Sequence, residues 1–119
     1  MVDSKIWCTE MTPKEAYEQA MDQGYGTPKQ ETIIATDFEY SYCYTKKVIK
    51  GRWEPGEAII ATDAYSSYWY AKYVIKGRFP LGESLSLIAK IGRWKYYLND
   101  VPMTEEEKTF LILRYGAPK

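Results

Sequence analysis

The sequence predicts an all-α fold, a short α-solenoid of helix-hairpin repeats of about 26 residues with degenerate capping units at both ends. Three observations predict it: a tandem repeat, helix-capping residues at matching places in each copy, and apolar spacing that fits a helical face. The segment from Glu31 to Gly56 is followed at once by a near copy from Glu57 to Gly82, with sixteen of twenty-six positions identical and no gap. Fainter units cover about 12–30 and 83–103; in the latter, Lys95-Tyr-Tyr-Leu-Asn-Asp-Val101 echoes Tyr68-Trp-Tyr-Ala-Lys-Tyr-Val74 one residue out of step. Worn units at the ends of a repeat array are expected, since terminal repeats turn one face to water. With 119 residues the chain reads as one domain, 1–119, closed by a final helix over 104–115.

The elements follow in order. Thr12-Pro-Lys-Glu15 sets a cap, a first-turn proline and a capping-box glutamate in sequence and opens a helix leading towards Gly24. Asp37 and Asp63 are N-caps for the repeat helices, which end at Gly51 and Gly77, residues suited to the left-handed conformation after a helix. Pro and Gly then turn the chain into a short second helix, Glu57-Ala-Ile-Ile-Ala, whose isoleucines belong in the core. Thr104-Glu-Glu-Glu107 opens the last helix, which ends near Gly116. Its Phe110-Leu-Ile-Leu113 run is apolar all the way round, as in a helix either buried in its own domain or shared with a partner. The alternation of tyrosines at 40–44 also fits a strand, but cap and terminal glycine agree on a helix.

At about 100° per residue, the repeat helix sets Tyr42, Tyr44, Thr45, Val48 and Ile49 on one side and Lys46, Lys47 and Lys50 on the other. The second copy divides the same way, with Tyr68, Tyr70, Ala71, Val74 and Ile75 opposite Lys72 and Lys76. Most of the twelve tyrosines are therefore expected in the core. Trp69 breaks the pattern, since it falls within the basic arc with Tyr73 beside it. Either a neighbouring helix covers it, or it forms an exposed surface with Tyr73, Lys72, Lys76, Lys46, Lys47 and Lys50.

Charge points the same way. Sixteen bases balance sixteen acids, but residues 1–39 carry −5, residues 40–99 carry +6 and the last twenty carry −1. A basic, aromatic-rich middle between acidic ends suggests an anionic partner. Histidine is absent, which removes the commonest general base and metal ligand. Cys8 and Cys43 cannot form a disulfide framework or a four-ligand zinc site, and no phosphate-binding loop, nucleophile elbow or metal spacing occurs. Lysines near Cys43 would lower its pKa, the one route to a reactive thiol. Lys-Gly-Arg at 50–52 and 76–78 reads as a helix stop whose bases meet the helix dipole, in preference to a phosphate site. No apolar run reaches the ~18 residues of a membrane helix, and Met1-Val-Asp-Ser-Lys5 does not open a signal peptide. The expectation is a cytoplasmic, non-enzymatic protein with no cofactor, no metal and no membrane partner.

The pattern Tyr-x-Tyr-x-Lys-x-Val-Ile-Lys-Gly-Arg-[Trp/Phe]-x-x-Gly-Glu-x-Ile-Ile-Ala resembles tandem units of small tailed-phage proteins, closely over residues 31–82 and loosely over 83–101. The resemblance implies a phage or prophage gene acting in the bacterial cytoplasm, where such proteins often bind a host protein or nucleic acid, host defence complexes included. The leading expectation is a binding module that docks its basic-aromatic face on a host protein with an acidic surface or a nucleic-acid-binding site, and so inhibits it. Direct nucleic-acid binding is the alternative, and an assembly role through a homodimer is the third.

Overall fold

The computed structural model describes residues 11–117, so Cys8 and the Met1–Lys5 start lie outside the described residues. Every regular element among these residues is helical. Helix α1 (Pro13–Gln23) opens with the capping box of Thr12 and Glu15 and closes at Gly24, in the left-handed region at φ 86°. Helix α2 (Pro28–Ile34) carries a second capping box, Thr27 with Gln30, which the sequence reading passes over. Helix α3 (Phe38–Tyr44) widens into a π-helical turn over Thr45–Ile49. Helix α4 is Glu54–Ile60, and α5 (Ala64–Trp69) widens in the same way over Tyr70–Ile75. Helix α6 (Pro80–Leu85) leads through a 3₁₀ turn at Leu87–Ala89 into α7 (Ile91–Asp100), and α8 is Glu105–Tyr115.

The predicted caps form: Asp37 accepts from the Tyr40 N–H and Asp63 from the Ser66 N–H, each at 2.9 Å. The predicted helix stops differ by one residue. The left-handed residues are Lys50 (φ 59°) and Lys76 (φ 60°), not Gly51 and Gly77. The cause is the π turn. The Lys50 N–H reaches back five residues to the Thr45 carbonyl at 2.6 Å, and Lys76 reaches Ala71 at 2.7 Å, so the backbone reverses before the glycine. The structural unit also starts four residues earlier than the sequence copy, at Thr27, Trp53 and Phe79, each the N-cap of a short helix.

Long helices α1, α3, α5 and α7 touch in that order, while short helices α2, α4 and α6 pack beside them. The described chain is elongated, 59 × 26 × 18 Å, and its radius of gyration of 16.7 Å exceeds the about 13–14 Å usual at this length. The core falls into two clusters. One gathers Ala16, Ala20, Ile34, Tyr44 and Trp53; the other runs from Ile60 through Tyr70, Phe79 and Tyr97 to Leu111.

A repeated polar bridge ties the short helix of each unit to its long helix, with an arginine from the residue just before the unit. Arg52 donates twice to Glu57 (2.9 and 3.0 Å), Tyr70 Oη donates to Glu57 at 2.6 Å, and the Trp53 N–H donates to Tyr70 Oη at 3.0 Å. Arg78, Glu83, Tyr97 and Phe79 repeat this arrangement, with Tyr97 donating to Glu83 and accepting from the Phe79 N–H at 2.8 Å. A carboxylate as enclosed as Glu83 is tolerable only with such partners. Glu31 keeps the tyrosine alone, accepting from Tyr44 Oη at 2.5 Å. Gly26 stands where the other units have arginine, and a Cβ there would lie 2.1 Å from the Tyr44 hydroxyl.

The bridge explains the out-of-step third unit. Glutamates 31, 57 and 83 keep the spacing of twenty-six, but the tyrosines run 44, 70 and 97. The extra residue is absorbed between Glu83 and the start of α7, where the short helix ends at Leu85 and a 3₁₀ turn follows at Leu87–Ala89.

One burial expectation is corrected, and one of two alternatives is removed. Ile49, placed on the core side by the helical wheel, is 38% exposed because the π turn rotates it away from the 100° period. In α8 only Leu111 is fully enclosed; Phe110 is half-exposed and Leu113 is 82% exposed, so the helix is not buried in its own fold.

Candidate basic-aromatic site

The two π-helical turns lie side by side, at the seam between the two core clusters. Between them opens a cavity of about 220 Å³ lined by Thr45, Lys46, Lys50, Gly51, Tyr73, Val74 and Lys76. Three of its seven lining residues are lysines and none is acidic. The Trp53–Tyr70 hydrogen bond joins the two clusters across this seam, so the buried bridge holds the cavity walls in register.

The seven predicted site residues divide. Lys46, Lys50, Lys76 and Tyr73 converge on the cavity. Lys46 Nζ lies 5.2 Å from the centre of the Tyr73 ring, and Lys72 Nζ lies at the same distance from it. Lys72 stands outside the cavity. It donates to Tyr68 Oη at 3.4 Å, which holds its ammonium above the ordinary value, and it lies 3.9 Å from Asp100. Lys47 is exposed and does not line the cavity. Trp69 keeps 39% of its surface exposed, although Tyr42 of the neighbouring helix α3 lies against it.

Trp69 is the centre of an aromatic row that the sequence reading missed. Tyr42 and Tyr65 flank it, each with ring centres 6.1 Å away. Arg93 then lies over the rings of Tyr65 (4.6 Å), Tyr96 (4.9 Å) and Tyr68 (5.3 Å), extending the row onto α7. Tyr65 was legible, because it precedes Trp69 by four residues and so shares its helix face. Arg93 was not, since its unit is out of register with the others. The row continues to the cavity through Tyr42. Burial, with the Cys43 thiol and the Tyr73 phenol beside it, pushes the Tyr42 hydroxyl up to about 12, so it stays a neutral donor.

The lysines do not activate Cys43. Burial first, and then Glu39, push its thiol above the ordinary value; Lys47 and Lys46 pull the other way and lose. The Lys-Gly-Arg segments split their work. Lysines 50 and 76 face the cavity, whereas arginines 52 and 78 turn to Glu57 and Glu83.

No protein-family model matches the chain, and no curated protein or solved structure matches it either.

Proposed function

We propose that the protein is a non-enzymatic binding module, a short α-solenoid of phage or prophage origin, that docks its basic-aromatic face on an acidic surface of a host protein. The observation that carries this reading is the cavity in which Lys46, Lys50 and Lys76 meet with no carboxylate in its lining. The half-exposed Trp69 supplies the large aromatic anchor that tight interfaces place beside such charges. Rigid flanking units hold the face in shape, so little ordering cost falls on binding. The target is a bacterial cytoplasmic complex, in defence or nucleic-acid processing, which docking inhibits by covering its own anion-binding surface. Among the described residues no helix is long and apolar enough to cross a membrane.

Two other readings each have one observation in their favour. The Tyr42–Trp69–Tyr65 row offers stacking surfaces for nucleotide bases beside lysines for phosphates. Exposed Phe110 and Leu113 on α8 favour self-assembly.

A tagged pull-down from bacterial lysate, with and without nuclease, separates these readings when it is run beside the Trp69→Ala/Lys46→Gln variant. Docking on a protein requires a captured protein that survives nuclease and is lost in the variant while the helical circular dichroism signal stays. Capture that disappears with nuclease transfers the reading to nucleic acid. Capture unchanged in the variant refutes the face.

A further inference from the structure

We infer that the cavity between the two π-helical turns is a binding site for a phosphate group. This inference concerns a small ligand and does not depend on any protein docking on the face. Two independent features of the fold meet there.

The first is charge. Lys46, Lys50 and Lys76 reach one cavity of about 220 Å³ from two different units, and Thr45 and Tyr73 complete the polar lining. None of the three lysines forms an ion pair with a carboxylate among the described residues, whereas Arg52, Arg78, Lys72 and Lys108 all do. Three lysines line one small space, more positive charge than a single carboxylate neutralises. A phosphate at neutral pH carries up to two charges and several acceptor oxygens, and lysine binds it as a point charge without needing a planar fork.

The second feature is strain. Lys50 and Lys76 are the only non-glycine residues with positive φ among the described residues, and both line this cavity. A residue with a Cβ is penalised in that conformation, and glycine is not. Each lysine is followed directly by a glycine, yet the lysine holds the left-handed position in both units. Sparsely populated backbone and π-helical turns recur at ligand sites, where the fold holds them against their cost. Here the two left-handed lysines, one from each unit, line the same space.

The strain makes the inference separable from folding. Lys50→Gly and Lys76→Gly remove a ligand group and relieve the backbone together, so stability and affinity move in opposite directions. The experiment is a titration of the full chain with inorganic phosphate at constant ionic strength, read by backbone amide shifts, on the wild type and the double variant. Lys90→Gln, a change away from the cavity, is the control. The expected result is saturable binding with shifts concentrated at residues 45–51 and 73–77. The double variant binds at least about tenfold more weakly, while its urea midpoint rises. Adenosine monophosphate is titrated in parallel. Equal affinity means that the site reads the phosphate alone; tighter binding with new shifts at Tyr73 or Trp69 means that it takes a nucleotide. Non-saturating shifts, or phosphate affinity unchanged in the double variant, overturn the inference. Loss of affinity in that variant without a rise in stability, or an equal loss in the Lys90 control, overturns it as well.

Discussion

Replacing Tyr97 by phenylalanine tests what fastens the short helix of a unit to its long helix. The phenol sits between two buried partners, donating to Glu83 and accepting from the Phe79 N–H at 2.8 Å. The substitution leaves that amide unpaired in a closed environment, at a cost of about 1–3 kcal/mol, and removes a hydrogen bond to a charged group worth about 1.5–3 kcal/mol. Arg78 continues to satisfy Glu83, so the total should fall near 3 kcal/mol, against the roughly 6–18 kcal/mol expected for a chain of this size. Tyr70→Phe breaks the same arrangement around Glu57, which is less enclosed and whose Arg52 partner is 55% exposed; about 2 kcal/mol is expected. Tyr44→Phe loses its bond to half-buried Glu31 and its contact with the Gly26 backbone, both at a more open site that water can reach, at about 1 kcal/mol. Urea unfolding followed by circular dichroism and by tryptophan fluorescence gives the three losses directly. The expected order is Tyr97 above Tyr70 above Tyr44. Equal losses, or the reverse order, would show that the bridges do not determine how the two helices of each unit hold together.

The glycines give a paired test: Gly56→Ala puts a methyl 2.5 Å from the Trp53 ring and should cost more than about 2 kcal/mol, while Gly51→Ala meets nothing within 4 Å and should stay within about 0.5 kcal/mol, as thermal melts will show. At alkaline pH, burial and then the adjacent carboxylates hold the Tyr44, Tyr70 and Tyr97 phenols above their ordinary value of 10.0. Their contribution is complete below pH 10 and is lost as pH rises above it, by up to about 1.4 kcal/mol per pH unit for each phenol; the difference in absorbance at ~295 nm between the wild type and each Tyr→Phe variant should show that phenol ionising only as the helices unfold, and a difference that appears near pH 10 with the fold intact would contradict this. Burial raises the Glu57 carboxyl, but hydrogen bonds from Arg52 and Tyr70 outweigh it and hold it below 4.5. Its contribution is therefore present above that pH and lost below it, so Glu57→Gln should flatten the acid limb of the stability curve.

Much of the helical layout was legible before any coordinates, because its signals are local. A capping threonine with glutamate three residues on, or an aspartate before an amphipathic run, satisfies orphan amides within one turn, and Thr12, Asp37, Asp63 and Thr104 all do so. The one-residue slip of the third unit was also visible, though not its cause. The positions of the left-handed residues were not legible. A π turn needs long-range packing to hold it, and nothing in Lys-Gly states that the lysine turns first.

The sequence by itself determined which segments are helical, that a unit is repeated, and that lysines and aromatics share a face, since each rests on spacing along one helix. Only the tertiary structure decided which of those lysines meet. Lys46 and Lys50 come from one unit and Lys76 from the next, and the distance between them depends on how α3 and α5 cross. The arginines leave the basic face for a more local reason, since Glu57 and Glu83 lie five residues further on and within bidentate reach. The meeting of lysines from different units depends on how neighbouring helices pack, which periodicity along a single chain does not encode.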